Sequence, residues 1–170
     1  MRKFGKSAVF VFLALTLSAC GATPQVNGGE TMSPDEAKAE VKALFADAEE
    51  VIGTGGWAPR TFWGPCEVPG REDEVQWTFA AQKFVALAGE TRDYGDKVAA
   101  QWTERGLSPA AGPDSLPTES SYLVSDPPSL EGLRDDGGFT QLSISPEVVL
   151  FRAKSRCVPG RVADLESPQG

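Results

Sequence analysis

Histidine is absent from this chain of 170 residues. It is the commonest protein ligand of metals and the usual general base, so its absence excludes Ser-His-Asp and Cys-His catalytic sites and the usual zinc sites. Carboxylates remain, and their densest clusters are Glu72-Asp73-Glu74 and Asp135-Asp136. Neither cluster has the spacing of a calcium loop, and short acidic runs usually face water. We therefore predict no catalytic residue, no metal site and no cofactor.

Positive charge is also scarce. Lysine and arginine total 16 against 24 aspartates and glutamates, which gives a net charge of −8. A strongly acidic protein is repelled by the phosphates of nucleic acids and by anionic lipid head groups. We therefore predict that this protein binds no nucleic acid.

The long apolar run of a membrane anchor is missing from the N-terminal region. A basic head containing Arg2, Lys3 and Lys6 is followed by an apolar run over 8–15. That run is shorter than the roughly 20 apolar residues that a helix needs to cross a bilayer core. A basic head followed by a short apolar run is typical of a secretory signal peptide.

The signal ends in Leu17-Ser18-Ala19-Cys20, which is the layout of a bacterial lipobox. Ordinary leader cleavage favours small residues at both −3 and −1, whereas Leu17 is large. We therefore predict that residues 1–19 are a cleaved signal peptide and that Cys20 is lipidated by a diacylglycerol. Two acyl chains hold a protein stably on a membrane, because each buried CH₂ contributes about 0.8 kcal/mol. The expected location is the cell membrane, lipid-anchored and facing outside the cytoplasm.

Cysteine is scarce, and lipidation of Cys20 leaves Cys66 and Cys157 as the remaining thiols. Disulfides persist in an oxidising compartment, and two thiols allow a single intramolecular pairing. We therefore predict a disulfide between Cys66 and Cys157. The two cysteines are 91 positions apart in the sequence, and closing a loop of that size corresponds to roughly 4–5 kcal/mol of stabilisation in a chain-entropy estimate.

The predicted mature chain has three parts. Residues 20–33 are rich in Gly, Thr, Asn and Pro, and they are predicted to be the lipidated cysteine and a flexible tether with a reach of about 20 Å. Residues 34–160 are predicted to form one compact domain, and 161–170 a disordered tail. The basic residues of the signal leave with it, so the mature chain carries 13 basic against 24 acidic residues and a net charge of −11.

Hydrophobic periodicity predicts an α+β fold with one disulfide. A capping-box pattern from Ser33 to Glu36 precedes apolar residues at helical spacing, which predicts a helix ending near Gly53. The other predicted elements are a helix over 91–106 and strands at 75–81, 122–124, 140–145 and 149–157. The expected fold is an antiparallel sheet of about four strands with two helices packed on one face, in the order α-β-α-β-β-β. The predicted inner face of the sheet consists of Trp77, Phe79, Leu142, Ile144, Val149 and Phe151.

Aromatic residues are concentrated in a segment without periodicity. The segments predicted to be irregular are 53–73, 108–117 and 126–136. The candidate ligand-binding residues are Trp57, Phe62 and Trp63 in the first segment, together with Trp77. Aromatic residues beside a disulfide usually pack, so we favour packing and keep a ligand-binding pocket as the alternative.

One local exception to the acidic composition is the alternation of Arg152, Lys154 and Arg156 on the last predicted strand. We interpret it as the solvated outer face of that strand, because basic residues on strands discourage pairing with other chains. The alternative is contact with an acidic partner or an anionic polymer.

The run Lys154-Ser155-Arg156-Cys157-Val158-Pro159-Gly160 resembles the ending of many small actinobacterial lipoproteins. In those proteins a first cysteine follows a Trp/Pro-rich loop, a strand comes next, and a helix bears a Trp near its end and closes with Gly. The corresponding residues here are Cys66, the strand from Val75, Trp102 and Gly106. The resemblance covers most of 34–160, apart from the long segments 108–117 and 126–136. It implies a surface lipoprotein of uncharacterised function with no established catalytic residue.

Together these features predict a membrane-anchored extracytoplasmic lipoprotein that is not an enzyme. The preferred hypothesis is a non-catalytic module that binds a partner or has a structural role, with the membrane and an envelope protein as its partners. The alternative is a small-ligand or solute-binding lipoprotein with the aromatic pocket described above. An enzyme ranks third, because the sequence contains no recognisable catalytic constellation.

Overall fold

A computed structural model describes residues 32–114, 121–129 and 131–166 of the chain. The predicted signal peptide, the predicted lipidation site Cys20 and almost all of the predicted tether lie outside the described residues. Among the helices that are described, none combines the length and the hydropathy that a membrane span requires.

The described residues form three helices and seven strands. The helices are α1 (Pro34–Ile52), α2 (Thr91–Glu104) and α3 (Val162–Leu165). The strands are β1 (Trp57–Pro65), β2 (Glu74–Phe84), β3 (Ala110–Pro113), β4 (Tyr122–Asp126), β5 (Phe139–Ile144), β6 (Val148–Lys154) and β7 (Val158–Pro159). They make one antiparallel sheet in the order β1-β2-β6-β5-β4-β3, with β7 pairing with β2 beyond the end of β6.

The predicted fold was therefore wrong in its strand count, helix count and element order. The sheet has seven strands instead of about four, and the described order is α-β-β-α-β-β-β-β-β-α. Three strands were missed: the two-residue β7 beyond the end of β6, and β1 and β3, which end the sheet on opposite sides. Edge strands tolerate proline, because the backbone amides on their outer side donate no hydrogen bond to a neighbouring strand. Pro59 and Pro65 in β1, and the Ala-Ala-Gly-Pro sequence of β3, explain why neither strand gave a strand signal.

Helix α1 begins as the sequence predicts. The Glu36 amide donates to the Ser33 hydroxyl at 3.3 Å, and the Ser33 amide donates to the Glu36 carboxylate at 2.7 Å. This reciprocal capping box satisfies two amides that the first turn leaves without partners. The face of α1 that it sets against the sheet carries Ala37, Val41, Leu44, Ala48 and Ile52, all buried.

The core lies between the helices and one face of the sheet, and all six residues predicted for the inner face are buried. The Phe45 ring of α1 lies 4.6 Å from that of Phe79 and 5.1 Å from that of Phe151, measured between centroids. Trp102 of α2 approaches Phe151 at 6.2 Å, and its indole N–H donates to the Leu44 carbonyl at 3.1 Å. Both long helices therefore cover the same face of the sheet.

A bend separates β6 from β7, where the sequence predicted one continuous strand to Cys157. The Ser155 amide donates to the Trp77 carbonyl at 2.9 Å, and the Ser155 hydroxyl accepts from the Trp77 amide at 2.9 Å. A side chain therefore replaces a backbone carbonyl in the ladder, and the chain turns before it pairs with β2 again. The predicted disulfide between Cys66 and Cys157 is confirmed and joins the end of β1 to this bend.

The segment 161–170, expected to be a disordered tail, contains α3. Val162 and Leu165, three residues apart on its single turn, pack against the core. Two apolar side chains at this spacing share one face of a helical turn, so the segment buries apolar surface against the core. Residues 167–170 lie outside the described part of the chain.

Replacing both bridge cysteines, Cys66→Ser with Cys157→Ser, is expected to lower the free energy of unfolding by roughly 2–5 kcal/mol. The reason is that the unfolded chain is no longer constrained by a loop of 91 residues. Urea unfolding followed by tryptophan fluorescence measures this, with the unsubstituted protein in reductant as control. An unchanged midpoint in the double variant would show that the bridge adds no stability.

Candidate functional site

The four aromatic residues predicted to form a pocket do not come together. Trp63 pairs across the ladder with Trp77, and both are buried beneath α1, where the Lys38 ammonium lies 5.5 Å from the Trp63 ring centroid. Trp57 packs edge-on against Phe45 at 5.2 Å. Phe62 is opposite Thr78, on the other face of the sheet. Three of the aromatics are therefore part of the core and its edge, and the fourth points away from them.

The cluster of Cys66, Glu74 and Cys157 has the spacing of a metal site but not its chemistry. One potential ligand atom from each residue lies within 4.8 Å of the others. The two sulfur atoms are bonded to each other, whereas a metal binds the thiolate. Glu74 pairs with Arg71 at 2.5 Å. The cluster is therefore a cross-link beside an ion pair.

A charged cleft of about 380 Å³ lies beside the bend between β6 and β7. Its charged residues are Glu40, Arg105, Asp126, Arg134, Asp136 and Arg156. The Arg156 guanidinium binds Glu40 with two hydrogen bonds, at 2.7 and 3.0 Å, and lies 3.8 Å from Asp136. The hydrogen bond to Glu40 raises the pKa of Arg156 above its ordinary value. Arg156 therefore turns toward α1 after the bend, and the predicted stripe keeps only Arg152 and Lys154 on the outer side.

Each remaining arginine of the charged cleft also faces carboxylates. Arg134 binds Asp126 at 2.5 Å and Asp136 at 3.3 Å. Arg105 holds Asp47 of α1 with two hydrogen bonds, at 2.5 and 2.6 Å. Bidentate arginine–carboxylate pairs are strong and geometrically specific. Because its cations are satisfied by its own anions, the charged cleft fastens the end of α2 and the segment 126–138 to α1.

The second candidate is the outer side of the sheet, opposite the helices, which we call the open face. It consists of Ala58, Arg60 and Phe62 of β1, Thr78, Ala80, Gln82 and Phe84 of β2, Val148, Leu150 and Arg152 of β6, Gln141 and Ser143 of β5, and Leu123 of β4. All of these residues are exposed or half-buried, in contrast to their buried neighbours on the inner face. Phe62 is 56% exposed and Phe84 is 75% exposed.

The open face is cationic although the protein is acidic. Arg60 and Arg152 are exposed on it, and within the described residues no ion pair involves either of them. None of the residues named for the open face is acidic, although Glu74, on the same side of β2 near its start, pairs with Arg71. At the margins of the face, Glu67 pairs with Lys154 at 2.5 Å and Asp114 accepts a hydrogen bond from Ser143 at 3.2 Å.

A shallow depression of about 390 Å³ crosses the open face. Its residues are Ala58, Arg60, Ala80, Ala81, Gln82 and Leu150. Alanines at the floor leave space between the longer side chains of neighbouring strands. The open face therefore combines exposed aromatic rings, a depression and guanidinium groups on one surface.

The sequence missed Arg60 and Phe84 as candidate residues. Arg60 was placed in an irregular segment, although Ala58, Arg60 and Phe62 alternate with residues of the inner side. Phe84 was considered only as an extension of the predicted strand at 75–81. The sequence signal for this strand is the alternation of Ala58, Arg60 and Phe62 in a segment that also contains Pro59 and Pro65, which is compatible with an edge strand.

Comparisons with known proteins identify the fold alone. Neither a protein-family model nor a curated protein matches the sequence. Among solved structures, the chain is similar to a DUF4853 family protein from Actinomyces odontolyticus, with a TM-score of 0.50 and 11% sequence identity over 78% of this chain and 72% of that chain.

The pH dependence of stability tests the charged cleft. Partial burial acts to raise the pKa of Asp136, but the hydrogen bond from the Gly138 amide and the charges of Arg134 and Arg156 outweigh it, so the pKa lies below its usual value. A carboxyl with a lower pKa in the folded state stabilises the fold above its unfolded pKa, near 4. That contribution is lost as the pH falls through the folded pKa.

Asp136→Asn is therefore expected to lower stability at pH 7 and to flatten its decline in acid below about pH 4. Thermal unfolding between pH 2 and pH 7 measures both effects. The matched control is Asp135→Asn, because Asp135 is exposed and makes no ion pair within the described residues. Parallel pH profiles for Asp136→Asn and the unsubstituted protein would contradict the assignment.

Proposed function

We propose that this protein is a membrane-anchored extracytoplasmic lipoprotein, lipidated at Cys20, which binds another envelope protein through its open face without catalysing a reaction. The observation that carries the proposal is the exposure of Phe62 and Phe84 on a sheet face that also bears the exposed Arg60 and Arg152. Phe62 and Phe84 expose large aromatic side chains to water at two separate places on this face, and exposed apolar surface rimmed by polar residues marks interaction sites.

The composition of the open face supports a protein partner. Protein interfaces are enriched in aromatic residues and arginine and depleted in aspartate and glutamate. The residues that carry most of the binding energy are often of the same aromatic and arginine types. The open face has this composition, and it lies on a sheet whose other side is fixed by the core, so a partner meets a rigid surface.

The proposed anchor agrees with the position of the domain in the chain. The lipobox ends at Cys20, and helix α1 begins at Pro34. The predicted tether between them has an r.m.s. reach of about 20 Å, so it would hold the domain near its attachment point. The resemblance to small actinobacterial lipoproteins supports the same location. A tethered domain meets envelope partners at a raised effective concentration, so a modest interface is sufficient.

The anchor is tested by Cys20→Ser. Incorporation of labelled fatty acid is expected to be lost, and the chain is expected either to leave the membrane fraction or to keep its signal peptide, as intact mass would reveal. The control is the Cys66→Ser/Cys157→Ser variant, which loses the disulfide but keeps Cys20 and should stay labelled. Normal cleavage with unchanged membrane retention in Cys20→Ser would contradict lipid anchoring.

The open face is tested by Phe62→Ser with Phe84→Ser. Both rings are largely exposed, so we expect each change to alter the free energy of unfolding by no more than about 0.5 kcal/mol. Loss of two interface aromatics is expected to weaken partner binding by at least roughly tenfold. Chemical crosslinking in the native cells measures the complex by its shifted band. An equally strong band from the folded variant would show that this face is not the binding surface.

A further inference from the structure

We infer that the partner of the open face presents an acidic protein surface, with carboxylates that pair with Arg60 and Arg152. This inference rests on the proposed function, since it names the chemistry of the partner at the same surface. It depends on the register of the strands, on the ion pairs made by the other arginines, and on the cost of burying an unpaired guanidinium.

The register places Arg60 and Arg152 side by side with one small residue between them. Arg60 of β1 is paired with Ala80 of β2, and Ala80 is paired with Arg152 of β6. Neighbouring strands lie about 4.8 Å apart, so the Cα atoms of the two arginines lie about 10 Å apart on the same side of the sheet. The methyl group of Ala80 leaves the space between the two guanidinium groups open to a partner.

Of the other arginines in the described residues, five pair with carboxylates of the same chain, whereas the exposed Arg161 beside β7 does not. Carboxylates pair with Arg71, Arg92, Arg105, Arg134 and Arg156. Arg60 and Arg152 make no such pair within the described residues, in a sequence with 24 acidic side chains against 16 basic ones. An acidic chain that leaves these two cations exposed on a face without carboxylates is arranged to attract negative charge from outside.

Docking on the open face requires negative charge on the partner, because it buries the guanidinium groups of Arg60 and Arg152. A partner that covers Phe62 also removes water from the neighbouring guanidinium groups. A buried charge is costly unless an opposite charge with good hydrogen-bond geometry compensates it. A carboxylate satisfies a guanidinium with two parallel hydrogen bonds, which neutral groups cannot match. The partner that fits the open face therefore carries aspartate or glutamate opposite both arginines.

An acidic protein fits this surface better than the head groups of a membrane. The middle of the open face is polar, with Thr78, Gln82 and Gln141 between its apolar residues. Side-chain amides and hydroxyls suit hydrogen bonding to a protein surface and oppose insertion into hydrocarbon.

The test uses the full-length chain in its native cells, with a photo-crosslinking amino acid at the exposed Gln82. Mass spectrometry of the adduct identifies the contacting peptide, which is expected to contain aspartate or glutamate. Arg60→Glu with Arg152→Glu is expected to reduce the adduct by at least roughly tenfold. Arg60→Lys with Arg152→Lys is expected to reduce it less, because lysine keeps the charge but loses the bidentate geometry.

The matched control is Lys97→Glu with Arg161→Glu, which changes the net charge by the same amount. Both residues are exposed, Lys97 on α2 and Arg161 directly before α3, and neither makes an ion pair within the described residues. The control is expected to keep the adduct within roughly twofold. Replacing the identified carboxylates by lysine on the partner is expected to restore binding to the Arg60→Glu/Arg152→Glu variant.

The outcomes separate the inference from the proposed function. A protein adduct that survives Arg60→Glu/Arg152→Glu would overturn the acidic partner and leave partner binding in place. An adduct with lipid alone, or no adduct, would overturn both. A loss of adduct equal in the control would also overturn the inference, because it would reflect net charge and not this surface. Thermal unfolding of each variant establishes that it is folded.

Discussion

The packing of Phe45 against Phe79 and Phe151 determines the arrangement of the whole domain. It brings α1 onto one face of the sheet, and the contact of Trp102 with Phe151 brings α2 onto the same face. Burial of large aromatic side chains is a main source of stability in a domain of this size. Because both long helices are used on one side, the outward residues of β1, β2 and β6 are left to water or to a partner.

Arginines have opposite roles on the two sides of this architecture. In the charged cleft, Arg134 is neutralised by the nearby Asp126 and Asp136, Arg156 is neutralised by Glu40 of the distant α1, and the disulfide closes beside them. Those contacts hold the bend between β6 and β7 and fix the edge of the core. On the open face, Arg60 and Arg152 are exposed beside aromatic rings. Arginine therefore stabilises the fold in the charged cleft, whereas on the open face its guanidinium groups make no ion pair within the described residues.

Local patterns predicted the elements whose signals are local. The capping box of α1, the period of α2 and the alternation of β2, β5 and β6 were all visible in the sequence, and counting thiols was enough to pair Cys66 with Cys157. The edge strands β1 and β3 were not predictable in this way, because proline, alanine and glycine give no strand signal. Arg156 was assigned to the wrong side because the alternation continues through Ser155, where the chain bends. The open face depends on the register between β1, β2 and β6, which is a non-local property.

Helices cover one side of the sheet, and we propose that the open face on the other side is a binding surface. The most direct test of this arrangement is hydroxyl-radical footprinting of the phenylalanines. In the purified protein, Phe62 and Phe84 are expected to oxidise rapidly, while Phe79 and Phe151 stay protected. In intact cells, Phe62 and Phe84 are expected to become protected as well, because a partner covers them. Slow oxidation of Phe62 and Phe84 in the purified protein, or equally rapid oxidation in cells, would contradict this arrangement.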